Sequence, residues 1–281
     1  MPQPTRHPHA PRPDLAPPPK LLLALESRAV FEFAAGAALR RGLQRIAPSG
    51  DGHPVLVLPG LGASDLSTRL LRRFLRELGY RAVPWELGRN TGMRPGMAQH
   101  LRAKLQSLFD RDGRKVSLIG QSLGGIFARE KAKHEPQLVR QVITLGSPFT
   151  GHLRANNAVR AYEWLTGDVV KRSGPDLSER LRAKPPVPTT SIYSKLDGVV
   201  AWRCSIEPGQ AEAENIHLRG VSHLGMAASP AALYLLAERL AQPEGGWKPF
   251  HPLRWQRLLY GVHDHHTPAA GTELNLNGES P

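Results

Sequence analysis

One serine of the chain, Ser122, lies at the centre of a Gly-x-Ser-x-Gly motif that could supply a nucleophile. The motif, Gly120-Gln121-Ser122-Leu123-Gly124, follows an apolar run at residues 116–119 and precedes a helical pattern at 123–134. A strand-to-helix turn of this kind lifts the serine hydroxyl out of a sheet, and small residues on both sides let the chain double back. The positive end of the following helix favours negative charge beside the hydroxyl. The motif and its position predict covalent catalysis by Ser122.

A serine hydroxyl needs a general base, and position in the chain selects His223 from 12 histidines. His223 lies in a loop at residues 220–226, between the last predicted strand and the last predicted helix. His217 lies in an apparent strand, which favours a structural role, and His152 belongs to a segment that could contact substrate. Five further histidines fall near the ends of the chain, where solvation is the simplest interpretation: His7, His9, His263, His265 and His266.

Asp197 is the predicted carboxylate partner of His223. It follows a predicted strand at residues 189–193 and begins an Asp-Gly pair, which by itself usually indicates only a turn. The order Ser, Asp, His along the chain is the order of a triad built on an α/β sheet, and it favours a catalytic role. Asp168 and Asp176 are weaker candidates because they lie in an irregular segment.

Two backbone N–H groups are predicted to form an oxyanion hole. One belongs to Leu123, directly after the serine, and the other to Leu61 in the turn Pro59-Gly60-Leu61-Gly62. Glycines allow the backbone of this turn to approach a reacting oxygen closely. The turn has neither a Gly-x-Gly-x-x-Gly pattern nor a Walker lysine, so nucleotide binding is disfavoured.

These residues lie among alternating strand and helix patterns. Strands are expected at residues 54–58, 81–85, 116–119, 139–145, 189–193 and 215–218. Helices are expected at 64–78, 95–109, 123–134 and 230–240, the first of them capped by Ser64 or Asp65. This alternation indicates βαβ units and a mostly parallel sheet with helices on both faces. The fold class is therefore α/β, with the site at the carboxyl ends of the strands.

Three segments lie outside this alternation. Residues 1–19, rich in proline and histidine, are expected to be a disordered leader, and 263–281 a disordered tail. Residues 149–186 are expected to form a cap-like or lid-like insertion over the site. Three apolar residues of this insertion could bind an acyl chain: Phe149, Trp164 and Leu165.

The domain is expected to span residues 20–262 and to begin with one helix at 20–46. Apolar residues at helical spacing are expected to pack it onto the domain, with a membrane-surface anchor as the alternative: Leu22, Leu25, Ala29, Phe33 and Ala37. Three aromatic residues near the other end are expected to fold back onto the domain: Trp247, Phe250 and Trp255.

Composition restricts the class of protein further. The 281 residues, 40% hydrophobic and 22% charged, are typical of a globular chain with one sizeable core. The net charge of +13 comes from scattered basic residues without interleaved aromatics, so nucleic-acid binding is not predicted, whereas weak contact with an anionic membrane stays open.

The single cysteine, Cys204, excludes an intramolecular disulfide, which fits a reducing compartment. The longest apolar stretch, Leu21–Leu43, contains Glu26, Arg28 and Glu32 and is too polar to span a membrane. The apolar run before Glu26 is too short for a signal peptide, so a cytoplasmic location is predicted.

Five segments of the chain resemble the α/β-hydrolase superfamily, and within it compact bacterial lipases and esterase/lipase proteins of the GPI inositol-deacylase type. They lie at residues 57–62, 120–125, 143–148, 192–197 and 220–223. The resemblance implies a cofactor-free, metal-independent hydrolase that acts on small-molecule or lipid carboxylic esters. The chain departs from the lipase pattern in the oxyanion loop, where lipases commonly carry His-Gly and this chain carries Pro59-Gly60.

Other functions remain open on the sequence. An acyltransferase or a thioesterase would use the same triad with a different acceptor or acyl donor. A non-enzymatic binding protein would need none of the three residues, and a membrane- or nucleic-acid-binding protein would show salt-dependent binding that is independent of Ser122. The oligomeric state has no signal in the sequence.

Overall fold

A computed structural model describes residues 16–150, 175–208 and 211–262, which contain a seven-stranded sheet. The strands are β1 (Pro54–Leu58), β2 (Arg81–Pro84), β3 (Val116–Gln121), β4 (Val139–Leu145), β5 (Thr189–Tyr193), β6 (Ala213–Leu218) and β7 (Tyr260–Val262). Their order across the sheet is β2-β1-β3-β4-β5-β6-β7. All neighbours are parallel except β7, which runs antiparallel to β6. The predicted α/β class and mostly parallel sheet are confirmed.

Helices cover both faces of this sheet. They are α1 (Lys20–Ala24), α2 (Ala29–Ile46), α3 (Arg69–Glu77), α4 (Met97–Asp112), α5 (Leu123–His134), α6 (Pro175–Arg182) and α7 (Pro230–Leu240). Among the helices in the described ranges, none combines the length and the apolar character needed to cross a membrane.

Alternate residues of β1 show how the core is divided between the two faces. Val55 and Val57 pack in a cluster with apolar residues of α3 and α7, whereas Leu56 and Leu58 pack with residues of α4 and α5. All four side chains are buried, which explains why the strand reads as a continuous apolar run. The sheet is thereby fixed from both sides, and the loops at its carboxyl edge have a rigid support.

The expectation of one continuous helix at residues 20–46 is wrong. A 3-10 turn at Leu25–Arg28 separates α1 from α2, and it turns Glu26 inward while Leu25 stays exposed. Ala37 is also exposed, and the closest contact of α2 lies instead at Gly36, where a Cβ would overlap the Ala228 carbonyl oxygen. The predicted packing onto the domain is confirmed at Ala29, which is buried, and at Leu22 and Phe33, which are half-buried. It is wrong only at Leu25 and Ala37, which are exposed.

The helix expected at residues 64–78 begins later, at Arg69, so the predicted cap at Ser64 is wrong; Thr68 occupies the N-cap position, and its side chain accepts no hydrogen bond from the helix backbone. Asp65 is not a cap either, because its carboxylate accepts hydrogen bonds from the backbone N–H groups of Trp85 and Glu86, each at 3.1 Å. The residue therefore ties the loop after β1 to the end of β2.

The last described residues add an edge strand to the sheet and pack aromatic side chains against it. Phe250 is buried and meets the ring of Tyr260 edge-to-face at a centroid distance of 5.4 Å, as expected for an aromatic residue that folds back. Trp247 is half-buried, but Trp255 is 53% exposed, so the expectation is wrong for Trp255. Strand β7 was not predicted, since three residues are too few for a recognisable alternation. The leader up to residue 15 and the tail from residue 263 lie outside the described residues.

Candidate active site

Ser122 occupies the strained turn that its motif predicts. It stands between β3 and α5 with φ 50° and ψ −122°, a backbone conformation that residues with a Cβ rarely adopt. Its N–H donates to the Leu145 carbonyl at 2.8 Å, and its own carbonyl accepts from the Gly125 N–H at 3.0 Å. Both bonds hold the turn closed at the carboxyl edge of the sheet.

The glycines of the motif are required by close backbone contacts. A Cβ at Gly120 would overlap the Gly124 carbonyl oxygen, and a Cβ at Gly124 would overlap the carbonyl oxygen of Leu58. The loop after β1 also passes close to the serine, because a Cβ at Gly60 would lie 3.3 Å from the Ser122 Cβ. The loop after β1 and the serine turn are therefore in contact, as the oxyanion-hole hypothesis requires.

Asp197 and His223 form a buried pair at the same edge. The His223 Nδ1 lies 2.6 Å from the Asp197 Oδ2, and both side chains are almost fully buried. The other carboxylate oxygen of Asp197 accepts from the backbone N–H groups of Val199 at 2.9 Å and Val200 at 2.7 Å. A carboxylate held in this way fixes the imidazole tautomer with its proton on Nδ1 and leaves Nε2 as the basic nitrogen.

The surroundings of His223 favour its protonated form. Burial lowers the pKa of the imidazole, but the charge and hydrogen bond of Asp197, together with the charge of Glu26, outweigh it, so the pKa is raised above its usual value of 6.5. The loop that carries His223 is joined to the serine turn, because Gln121 Nε2 donates to the His223 carbonyl oxygen at 3.0 Å. The structure thus brings the three predicted triad residues to one edge of the sheet.

Gly146, the residue after β4, lies against the acid–base pair. Its φ is +56°, and a Cβ there would stand 3.0 Å from both the Asp197 Oδ2 and the His223 Nδ1. The Gly-Ser-Pro segment at residues 146–148 was recognised as part of the resemblance, and this contact gives its glycine a physical reason.

Replacing Gly146 by alanine is expected to lower kcat by about tenfold to hundredfold, because the new methyl group presses on the Asp197–His223 hydrogen bond. Gly113→Ala is the matched control, since Gly113 has a similar φ of +61° and a Cβ there has no neighbour within 4 Å. Both variants carry the backbone strain, so thermal unfolding should show similar destabilisation and steady-state kinetics should separate them. Equal kinetics in the two variants would show that the contact has no catalytic consequence.

The two predicted oxyanion donors belong to the loop after β1 and to the start of α5. Leu123 is the first residue of α5, where an N–H has no acceptor within the helix. Leu61 lies in a loop that Asn90 holds in place. The side-chain amide of Asn90 donates to the Pro59 carbonyl at 2.8 Å, and the backbone carbonyl of Asn90 accepts from the Gly62 N–H at 2.7 Å. Asn90 is fully buried and was not predicted, because Asn90-Thr91-Gly92 signals only a turn. The oxyanion roles of Leu61 and Leu123 stay predictions.

Among the predicted substrate residues, only Phe149 lies in the described part of the chain. Its ring is buried beneath the Arg129 guanidinium, 3.7 Å from the ring centroid, and Arg129 is paired with the buried Glu207. This packing gives Phe149 a structural contact, and its substrate role stays a prediction. Trp164 and Leu165 lie outside the described residues, together with His152 and most of the expected cap.

His217 has the structural position expected for it. It lies in β6, and its ring stacks on Tyr193 at a centroid distance of 5.3 Å. Burial, with the charges of Lys195 and Arg219, lowers the pKa of His217 to about 4, so the ring is neutral near pH 7. Elsewhere in residues 16–150, 175–208 and 211–262, no group of three or more His, Cys, Asp or Glu side chains is arranged to hold a metal ion.

Comparison with solved structures identifies the architecture. The mature form of the lipase BlEst2 from Bacillus licheniformis superposes with a TM-score of 0.54 at 17% identity, over 69% of this chain and 94% of that protein. Lipase B from Aspergillus fumigatus superposes with a TM-score of 0.52 at 16% identity, over 69% of this chain and 53% of that protein. In sequence comparisons, no family model and no curated protein matched the chain. The structural likenesses, with the strand order and the serine turn, show that the chain has the α/β-hydrolase fold.

Proposed function

We propose that the protein is a serine hydrolase that cleaves carboxylic esters through Ser122, His223 and Asp197. The observation that carries the proposal is the strained turn of Ser122 beside the buried Asp197–His223 pair, at the edge of the sheet where this fold places its sites. Strain at a position with a Cβ persists only where the surrounding structure enforces it, and such positions cluster at functional sites. The two structural neighbours are lipases, which supports an ester of a small molecule or a lipid as the substrate.

The geometry supports a two-step acyl transfer. His223 Nε2 accepts the proton of the Ser122 hydroxyl while Oγ attacks the ester carbonyl, and the N–H groups of Leu61 and Leu123 bind the oxyanion that forms. His223 then gives the proton to the leaving alcohol, which departs as the acyl-enzyme forms. Water attacks the acyl-enzyme with His223 as base, and the acid product leaves with Ser122 restored. Asp197 stays ionised and stabilises the imidazolium in both steps.

The raised pKa of His223 predicts the pH dependence. Because the base must be neutral in the free enzyme, kcat/KM should fall as the pH is lowered through the His223 pKa, with a midpoint above 6.5. Hydrolysis of an uncharged p-nitrophenyl ester, followed at a wavelength where the phenol and the phenolate absorb equally, would give this profile. A midpoint below 6.5 would contradict the assignment of His223 as the base in this environment.

A series of p-nitrophenyl esters from acetate to palmitate tests the proposed function directly. We expect turnover on part of the series, and the chain-length optimum would distinguish a short-chain esterase from a lipase. Adding a competing alcohol and comparing oxygen esters with thioesters would separate hydrolysis from acyl transfer or thioesterase activity. The absence of turnover on every ester would contradict the proposal, and a dominant transfer product would reassign the protein to acyl transfer.

A further inference from the structure

Glu26, in the 3-10 turn between α1 and α2, is a buried carboxylate that the proposed mechanism does not use. Its side chain is only 4% exposed. One carboxylate oxygen accepts from the backbone N–H groups of Gly198 at 2.8 Å and His223 at 3.0 Å, and the other accepts from the N–H of Leu224 at 2.9 Å. Burial of a charged group is costly unless it is hydrogen-bonded, and these three bonds supply the partners.

The three N–H groups belong to two different loops of the proposed site. Gly198 follows Asp197 in the loop after β5, whereas His223 and Leu224 lie in the loop after β6. Residues outside helices and strands need other acceptors for their backbone N–H groups, and here one side chain serves both loops. Glu26 therefore links the backbone next to Asp197 to the backbone of His223.

Neighbouring residues hold the same turn against the two loops. Arg28 Nη2 donates to the Leu196 carbonyl at 2.7 Å, and a Cβ at Gly198 would overlap the Leu22 backbone. Glu32 on α2 accepts from the Ser222 backbone N–H at 2.9 Å and from its hydroxyl at 2.6 Å. The start of the described chain thus lies directly on the loops that carry Asp197 and His223.

From these contacts we infer that Glu26 is a positioning residue, which fixes the loops of Asp197 and His223 relative to each other. The inference rests on the proposed function. Glu26 and Asp197 are the two carboxylates whose charges act on His223, and Gln121 and Gly146 are its uncharged neighbours. Arg28 and Glu32 lie next to Glu26 and form an ion pair with each other at 3.5 Å. Glu26 contributes both geometry and negative charge to the base.

The test is Glu26→Gln in the full chain. The side-chain amide of glutamine has only one acceptor oxygen, and its NH₂ group is a donor. At least one of the three hydrogen bonds is therefore lost, because an amide N–H then faces a backbone N–H. We expect kcat to fall by about tenfold to hundredfold with KM unchanged, because Glu26 lies behind the loops. Loss of the negative charge should also move the acid limb of the kcat/KM profile to lower pH, since the imidazolium loses a stabilising neighbour.

Glu32→Gln is the matched control. Glu32 also binds the backbone of the His223 loop from the same helical segment, so its loss should lower stability in a similar way. The acid limb of this variant should move less than that of Glu26→Gln, because Glu32 accepts no hydrogen bond from His223 and is paired with Arg28 at 3.5 Å. If Glu26→Gln leaves the acid limb unmoved, or reduces activity only in proportion to the unfolded fraction, the inference is overturned.

Two measurements that need no turnover separate this inference from the proposed function. Titration of the His223 ring by NMR should show a lower pKa in Glu26→Gln even if no ester is hydrolysed, and an unchanged pKa would overturn the inference. Should Glu26→Gln fail to fold, amide hydrogen exchange of the wild type decides the outcome. The Leu224 side chain is 53% exposed, so slow exchange of its amide would support the Glu26 bond, and exchange at the rate of a free loop would overturn it.

Discussion

Replacing Ser122 by alanine is expected to lower kcat for ester hydrolysis by about 10⁴-fold or more, since no other group in the proposed mechanism can form the acyl-enzyme. Alanine keeps the Cβ and removes only the hydroxyl, so the turn at φ 50° should persist and the melting temperature should change little. Burst-phase release of p-nitrophenol, which reports acylation, should disappear together with steady-state turnover. Full turnover by this variant would contradict the proposed nucleophile.

Ser147→Ala is the matched control for this variant. Ser147 lies in the loop after β4, close to the serine turn, and its buried hydroxyl has no hydrogen-bond partner among the described residues. Removing a hydroxyl that makes no bond should leave kcat within about twofold of the wild type, because no donor or acceptor is left unpaired. A large loss in both variants would indicate damage to the loops rather than loss of a nucleophile.

The second large effect is expected from Asp197→Asn, which should lower kcat by about 10⁴-fold at pH 7. Asparagine is the same size and can still accept from Val199 and Val200, so the loop geometry should be retained. Its amide can donate to His223 Nδ1, which places the imidazole proton on Nε2 and removes the basic nitrogen that the proposed mechanism requires. Steady-state kinetics and the NMR tautomer of His223 would measure the two consequences together.

Asp65→Asn provides the comparison for the Asp197 variant. Asp65 also accepts two backbone N–H bonds in a loop at the carboxyl side of the sheet, but its partners are Trp85 and Glu86, away from the acid–base pair. Replacing Asp65 by asparagine should lower the stability of the fold and leave the tautomer of the His223 imidazole unchanged. If Asp197→Asn retains activity within tenfold of the wild type, Asp197 is not the carboxylate that orients the catalytic histidine.

The parts of this molecule that were predictable from sequence are those where local pattern and chemistry agree. The continuous apolar run of β1 predicts a strand covered on both faces, and its residues pack in two layers. The motif around Ser122 predicts a tight turn, which its positive φ confirms. The order of Asp197 and His223 along the chain was enough to predict their pairing. Strands β5 and β6 are parallel neighbours, so the loops that follow them meet at one edge of the sheet.

The parts that were not predictable depend on long-range contacts of polar side chains. Glu26 reads in sequence as a charge that interrupts an apolar stretch, and its three acceptor contacts follow only from the folded arrangement of two distant loops. Asp65 satisfies the rule for a helix cap, but the helix begins four residues later and the carboxylate of Asp65 binds the backbone N–H groups of residues 85 and 86. Asn90 has the appearance of a turn residue, and its role in holding the oxyanion loop requires knowledge of where β1 ends.

The contact of the 3-10 turn with the loops of Asp197 and His223 has a consequence for folding during synthesis. Glu26 is synthesised before its partners Gly198, His223 and Leu224, which lie 172, 197 and 198 residues further along the chain. Contacts across such separations require closure of a long loop, and a larger share of such contacts slows folding. During synthesis, the carboxylate of Glu26 therefore has none of these partners until the residues from Gly198 to Leu224 have emerged from the ribosome.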